Sequence, residues 1–229
     1  NKHLKHITGL DLRIGQDRIQ LMQSMGDVAG FSAAIRVLAL DLSKIASDFR
    51  LMAMGPRTGI DELVLPAVQP GSSIMPGKIN PSIPEMVNQV CFQVVGCDTT
   101  VAISAEHGQL EPNVMMPVIA FNVLLAMQIL TNAARILDEK CVRGITANRE
   151  MNEYWVERSA ALATALAPQT GYAKAAEISK RSVKEGILIR DLVRREGILP
   201  EAKIDEVLDL RKMTENGVPG GAHGAVAAG

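Results

Sequence analysis

The stretch PGSSIMPGKINPSIPE, residues 70–85, gathers the residue types that proton transfer beside an anion requires. A serine hydroxyl is a weak base or nucleophile until its neighbours activate it. Ser72 and Ser73 follow Gly71, where the backbone can approach a bound group closely, and consecutive loop amides can point at an anion. Lys78 adds a full positive charge, and Asn80 an amide that both donates and accepts. A helix expected to start near Ser82 adds the partial positive charge of its N-terminus. The set suits a negatively charged group, above all one whose charge grows during reaction. Taken singly, a Gly/Ser/Pro loop is a surface connector, and Ser82 with Glu85 is an S-x-x-E capping box. The functional reading rests on the full ordered string.

Other chemistry-bearing residues are weaker candidates. His3, His6, His107 and His223 have no partner at metal-ligand spacing, so no metal site is expected. Cys91, Cys97 and Cys141 form no CxxC pair and read as buried thiols of a reducing, cytosolic setting. Cys91 and Cys97 stand six apart, on different faces of a helix. Arg57, in GPRTG, reads as a structural tie for the connection around it.

The elements that must position the loop are helical. Hydrophobic residues make up 47% of the 229, but aromatic residues only 3%, so the core is aliphatic and suits packed helices better than a sheet sandwich. From Asp17, a plausible N-cap, an apolar pattern runs without proline to Met54 (Ile19, Met22, Val28, Phe31, Ile35, Leu38, Leu42), predicting one helix of roughly 57 Å. Gly26 and Gly30 within it predict close packing or a kink. Residues 55–81 hold five prolines and four glycines, and form a long connection anchored by Ile60, Leu63, Val64 and Leu65. Connections of that length are functional or disordered, and the apolar anchors favour function.

A second long helix is expected from Ser82 to about Glu106, with Asp98 its one charge between Met86 and Ala105. A third covers about Val118 to Lys140. The uncharged run Pro112–Ala134 is long enough to span a membrane, but Asn113, Asn122, Gln128 and Asn132 within it favour a buried helix. Helices this long and apolar leave surface that one chain cannot cover, which predicts a homo-oligomer.

After Gly144 the pattern changes. Asn148 should cap a helix to about Leu166, PQTGY should turn, and AKAAEISKRSVKEG and PEAKIDEVLDL should be short amphipathic helices. The expected organisation is all-α: a long-helix bundle domain over 1–143 with the loop at 70–81, a small helical domain over 144–215, and a disordered tail, 216–229. A net charge of −1 supplies no field for nucleic acid or an anionic membrane. The chain shows no secretory signal and opens at Asn1 rather than Met, which suggests a processed or truncated product.

GSSIMPGKINP resembles the signature loop of the fumarase/aspartase superfamily, helical lyases that eliminate ammonia, water or an amine to leave fumarate or a similar alkene. Gly77 between Pro76 and Lys78 is similar to the fumarase and aspartase branches rather than to the argininosuccinate or adenylosuccinate lyases. The segments PEMVNQVCFQVVG, AEHGQLEPNVMMPVIAFN and LDEKCVRGITANRE resemble aspartate ammonia-lyases; Cys97, Pro112 and Met116 depart from the pattern common there. The likeness runs from about residue 8 to 215 and corresponds to the C-terminal half of a family chain.

The resemblance implies Ser72 as the base that removes the Cβ proton, with an aci-carboxylate held by amides around Ser73, Ile74 and Met75. It implies that Lys78 and Asn80 grip a substrate carboxylate, and that Glu85 pairs with a histidine from the other half of the site or serves helix capping, or both. It further implies a cytoplasmic homotetramer acting on a small dicarboxylate at sites shared between subunits, with no cofactor needed. A class II fumarase, or a non-catalytic structural member or fragment, is the competing reading.

Overall fold

The computed structural model describes residues 2–71, 74–75 and 77–214, and the chain forms two compact units divided between Thr146 and Ala147. The expected tail, 216–229, lies outside the described residues. The fold is all-α, and the one sheet among the described residues is the two-residue pairing of β1 (Leu63–Val64) with β2 (Thr146–Ala147).

The first unit opens with two short helices, α1 (Lys2–Thr8) and α2 (Arg18–Gln23), and is built on three long ones: α3 (Gly26–Met52), α4 (Ser82–Glu106) and α5 (Met116–Lys140). The single helix predicted from Asp17 to Met54 is therefore two. Asp17 does cap the first, its Oδ1 accepting from the amides of Ile19 and Gln20 at 3.0 and 2.9 Å. The break falls at Ser24, which is extended, and whose hydroxyl accepts the Gly26 amide at 3.3 Å. A serine that offers the backbone a local partner, followed by a poor helix former, outweighs the apolar period there. Gly30 has no described neighbour within 4 Å of where a Cβ would stand, so the predicted GxxxG approach is not made.

Packing among the long helices follows a seven-residue logic. On α3 the buried positions are Ser32, Ala39 and Ala46, a seam of small residues that lets neighbouring backbones come close. Against it α4 buries Val87, Cys91, Val94 and Val101, and α5 buries Ile119, Val123, Ala126, Leu130, Ala133 and Leu137 at alternating steps of four and three. That alternation is the knobs-into-holes spacing of helical bundles. Cys91, Cys97 and Cys141 are all buried and unpaired. Burial pushes the Cys91 and Cys141 thiols up from the ordinary value.

The same helices keep much apolar surface exposed. Phe92, Phe121 and Leu124 are each 64% accessible, and Phe31, Leu38, Met127 and Leu130 line an apolar groove of about 340 Å³ between α3 and α5. By length and composition, Met116–Gly144 would pass for a membrane span. Its buried face packs on α4, and Asn122 bonds back to the Val118 carbonyl at 2.8 Å.

Three polar attachments fix the frame. Asp98, the one charge of α4 between Met86 and Ala105, accepts from the Ser32 hydroxyl and from Arg36 Nε, both at 2.7 Å. Asn113, fully buried in the α4–α5 connection, takes its backbone amide to the Met22 carbonyl and its side chain to the Ser104 and Ala105 carbonyls. The third is made by Asn88, in the second turn of α4.

The second unit has its own core of Leu162, Leu166, Ile178, Leu192, Val193 and Ile204. It is formed by α6 (Arg149–Arg158), α7 (Leu162–Thr170), α8 (Tyr172–Glu185), α9 (Ile189–Arg195), α10 (Glu201–Val207) and α11 (Leu210–Met213). Asn148 caps α6 as expected, but the helix ends at Arg158, because extended Ser159 turns its hydroxyl to the Ala161 amide at 3.2 Å. The predicted turn at PQTGY is instead the end of α7, which carries Pro168 inside it and stops only at Gly171, with φ +79°. The helices α9 and α1 have no counterpart in the sequence reading.

Candidate active site

The signature loop joins β1 to α4. Gly71 carries φ +116°, a conformation side-chain-bearing residues rarely adopt, and a Cβ placed there would lie 3.0 Å from the Lys78 carbonyl oxygen. The two limbs of the loop thus meet at Gly71. Gly77 has φ +82°, and the Lys78 amide closes a turn on the Met75 carbonyl at 3.1 Å. At the exit, the Ser82 amide bonds the Asn80 carbonyl at 2.8 Å and the Glu85 amide bonds the Pro81 carbonyl at 3.0 Å.

These bonds correct one expectation. Ser82 is the first residue of α4 and Pro81 the cap, so the S-x-x-E box is not formed; the Ser82 hydroxyl reaches back to the Asn80 carbonyl at 3.4 Å instead. Pro81 occupies the position a capping side chain would need, and Pro84 has no amide to give. Ile83 is then the one first-turn amide without a backbone acceptor among the described residues. Anion binding by the helix N-terminus is correspondingly narrower than the sequence suggests.

Ser72 and Ser73, expected as base and as anion-binding amide, lie outside the described residues. Of the others, Ile74 is 87% accessible, Met75 and Lys78 are exposed, and Asn80 and Glu85 are half-buried. Among the described residues the Lys78 ammonium, the Asn80 side-chain amide and the Glu85 carboxylate make no hydrogen bond or ion pair. A cation, an amide and a carboxylate on one short segment are therefore uncommitted, as groups that meet a ligand must be. Glu85, in the first turn of α4, is also favourably placed against the helix dipole.

Arg57 does not serve the role expected of it: it is exposed and, among the described residues, ties nothing down. Val64, expected as an apolar anchor, is half exposed, whereas Leu65 packs on the core. His107 caps α4 through Nδ1 and the Ile103 carbonyl at 2.9 Å. No group of three or more His, Cys, Asp or Glu among the described residues could hold a metal ion.

Sequence reasoning missed Asn88. One turn past Glu85, its buried Nδ2 donates to the Ser43 carbonyl (2.9 Å), the Ser43 hydroxyl (3.0 Å) and the Ser47 hydroxyl (3.2 Å), while Oδ1 accepts from Arg50 at 3.0 Å. The available signal was a polar residue in phase with the apolar stripe of α4.

Comparison with known proteins agrees with this architecture. Residues 1–96 match the family model described as Lyase, and 162–215 match that of the Fumarase C C-terminus. The aspartate ammonia-lyase of Bacillus subtilis (strain 168) is 44% identical over 220 residues, 96% of this chain and 46% of that protein. That of Escherichia coli (strain K12) is 42% identical over 93% of this chain and 44% of its own length. A fumarate lyase:delta crystallin from Brucella melitensis, solved bound to cobalt, superposes with a TM-score of 0.86 at 45% identity, covering 93% of this chain and 46% of that one. A class II fumarase from Schistosoma mansoni gives 0.81 at 32% identity, over 90% and 45%. The chain belongs to the fumarase/aspartase superfamily of lyases. Within it, the curated relatives it resembles at 42–46% identity are aspartate ammonia-lyases, and it spans about half their length.

Proposed function

We propose that this chain supplies the signature-loop half of an aspartate ammonia-lyase, which eliminates ammonia from L-aspartate to give fumarate. Ser72, as alkoxide, takes a proton from Cβ. The electron pair left there moves into the adjacent carboxylate, and the resulting aci-carboxylate dianion is held by amides at Ser73, Ile74 and Met75. Collapse forms the C=C bond and expels ammonia from Cα, anti to the proton removed. Lys78 and Asn80 hold substrate carboxylate, and Glu85 pairs with a group from outside this chain. Each preorganised donor to the growing charge is worth about 10²–10³ in rate, and a positioned base about 10²–10⁴.

The observation that carries this reading is the intact loop string, with Lys78, Asn80 and Glu85 uncommitted among the described residues, in a chain 42–46% identical to enzymes of that name. The exposed Phe92, Phe121 and Leu124 support a homotetramer whose sites draw on several subunits. The small dicarboxylate substrate and a cytoplasmic location follow from the same reading, as does the assignment of the loop to a bundle domain and of the later helices to a small accessory domain. A class II fumarase is the second reading, favoured by the 0.81 superposition on such an enzyme at 32% identity.

The test joins this chain to the part of the Bacillus subtilis relative that it does not match, and follows fumarate from L-aspartate and from L-malate. Fumarate from malate alone would replace this reading with the second. Fumarate from neither would favour a structural role. Ser72→Ala should lower aspartate turnover by several orders of magnitude; unchanged turnover removes Ser72 as the base.

A further inference from the structure

The contact between α3 and α4 is apolar and lined by small residues, so it resists separation far more than it resists rotation or sliding. Directional bonds must set the register. Two attachments do so: Asp98 to Ser32 and Arg36 at one end, and Asn88 to Ser43, Ser47 and Arg50, spread over two turns of α3, at the other. The second lies six residues past Ser82, roughly 9 Å along the helix from the end of the signature loop. Asn88 is 2% exposed, and its amide is fully used: two hydrogens share three acceptors on Ser43 and Ser47, and the oxygen accepts from Arg50. Buried, fully satisfied polar groups of this kind specify register where apolar packing is permissive.

We infer that Asn88 is a positioning residue for the proposed reaction: through Ser43, Ser47 and Arg50 it fixes the rotation of α4, and with it the placement of Glu85 and the loop that ends at Pro81. This rests on the function proposed above. Slippage of α4 by one residue would turn Glu85 by about 100° and carry the loop anchor by about 1.5 Å. Misplacement on that scale costs up to about 10² in rate. Asp98, three turns further from the loop, cannot hold the first turn by itself, because the apolar contact between them leaves that turn able to twist.

The decisive variant is Asn88→Leu, which keeps side-chain volume in an apolar setting. It strands no buried donor, since the serine hydroxyls can bond within α3 and exposed Arg50 can reach water. In the joined protein, kcat should fall about 10–100-fold with KM changed less than about threefold, the split expected of displaced reacting groups. Independently of activity, amide exchange at Ser82 and Glu85 should quicken by about tenfold or more, with Val94 and Val101 unchanged. If Asn88→Leu does not fold, Ser43→Ala with Ser47→Ala removes the acceptor hydroxyls from α3 and is expected to shift the same exchange. Combined with Asn88→Leu, the serine pair should add nothing further. Exchange at Ser82 and Glu85 unchanged, or kcat retained within about twofold, overturns the inference. Joined protein that turns over neither substrate refutes the proposed function, and the exchange measurement then decides the positioning role alone.

Discussion

Substitution at the two loop glycines separates the conformational demand of the site from its packing. Gly71→Ala meets two obstacles: φ of +116°, well outside the left-handed well, and a backbone oxygen, that of Lys78, at 3.0 Å from the new carbon. Gly77→Ala meets one, since its φ of +82° is nearer that well and no described neighbour lies within 4 Å. A residue held in a sparsely populated region costs about 1–3 kcal/mol. Gly77→Ala belongs near about 1 kcal/mol, and Gly71→Ala near about 3 kcal/mol with its close contact added. If the strain is relieved by opening the loop, the closed fraction falls about fivefold in the first case and about 150-fold in the second. No described residue of 71–80 belongs to a core cluster, so global unfolding should be nearly unaffected in both. The assay is aspartate turnover in the joined protein, with thermal unfolding alongside. Wild-type turnover in Gly71→Ala, or greater damage from Gly77→Ala than from Gly71→Ala, would refute the reasoning.

Other outcomes follow from the same geometry. Lys78→Ala should raise KM more than it lowers kcat if the exposed ammonium serves binding as proposed; an unchanged KM contradicts that role. Leu166→Ala, at a fully buried site of the second unit, should lower the stability of that unit by about 2–5 kcal/mol in denaturant titration, leaving amide exchange of α3–α5 unchanged. Arg195 and then Arg181 bond Glu185, and Arg181 also bonds Glu196, which holds both carboxyls below the ordinary value of 4.5. Depressed carboxylates contribute stability that is complete above about pH 4.5 and lost as pH falls through the folded values. The unfolding midpoint of the second unit should therefore drop on acidification below that pH, and the drop should shrink in Arg181→Gln.

Much of this is legible in the chain, for reasons that can be named. Asp17 and Asn148 announce helix starts because a short polar side chain satisfies first-turn amides locally, and the apolar runs, with Ser82, Pro84 and Glu85 marking the start of α4, place α4 and α5 to within two residues even though the S-x-x-E box itself is not formed. The breaks at Ser24 and Ser159 are not legible. In each, a serine hydroxyl captures an amide two residues ahead, a choice between near-equal local structures that period counting cannot weigh. Pro168 misleads in the opposite sense: read as a helix breaker, it sits near the end of α7, where few bonds remain to be lost. At the site, Lys78, Asn80 and Glu85 stand out because their order is unusual. Asn88 does not, because its meaning depends on which turn of α3 lies opposite, and sequence spacing within α4 contains no trace of Ser43 or Arg50. Arg57 shows the reverse error, a conspicuous residue whose side chain holds nothing among the described residues.

The buried Asn113 has a consequence for the order in which the first unit assembles. It binds the end of α4 to the start of α5 across the short connection 107–115, whereas α3 reaches α4 only through residues 53–81, a connection about threefold longer. Closing the longer one costs roughly 1 kcal/mol more in chain entropy. Chain entropy alone therefore favours pairing of α4 with α5 before docking of α3. Only with that docking does Asn88 meet Ser43, so the first turn of α4, where the signature loop ends, is a readout that the bundle has closed in register.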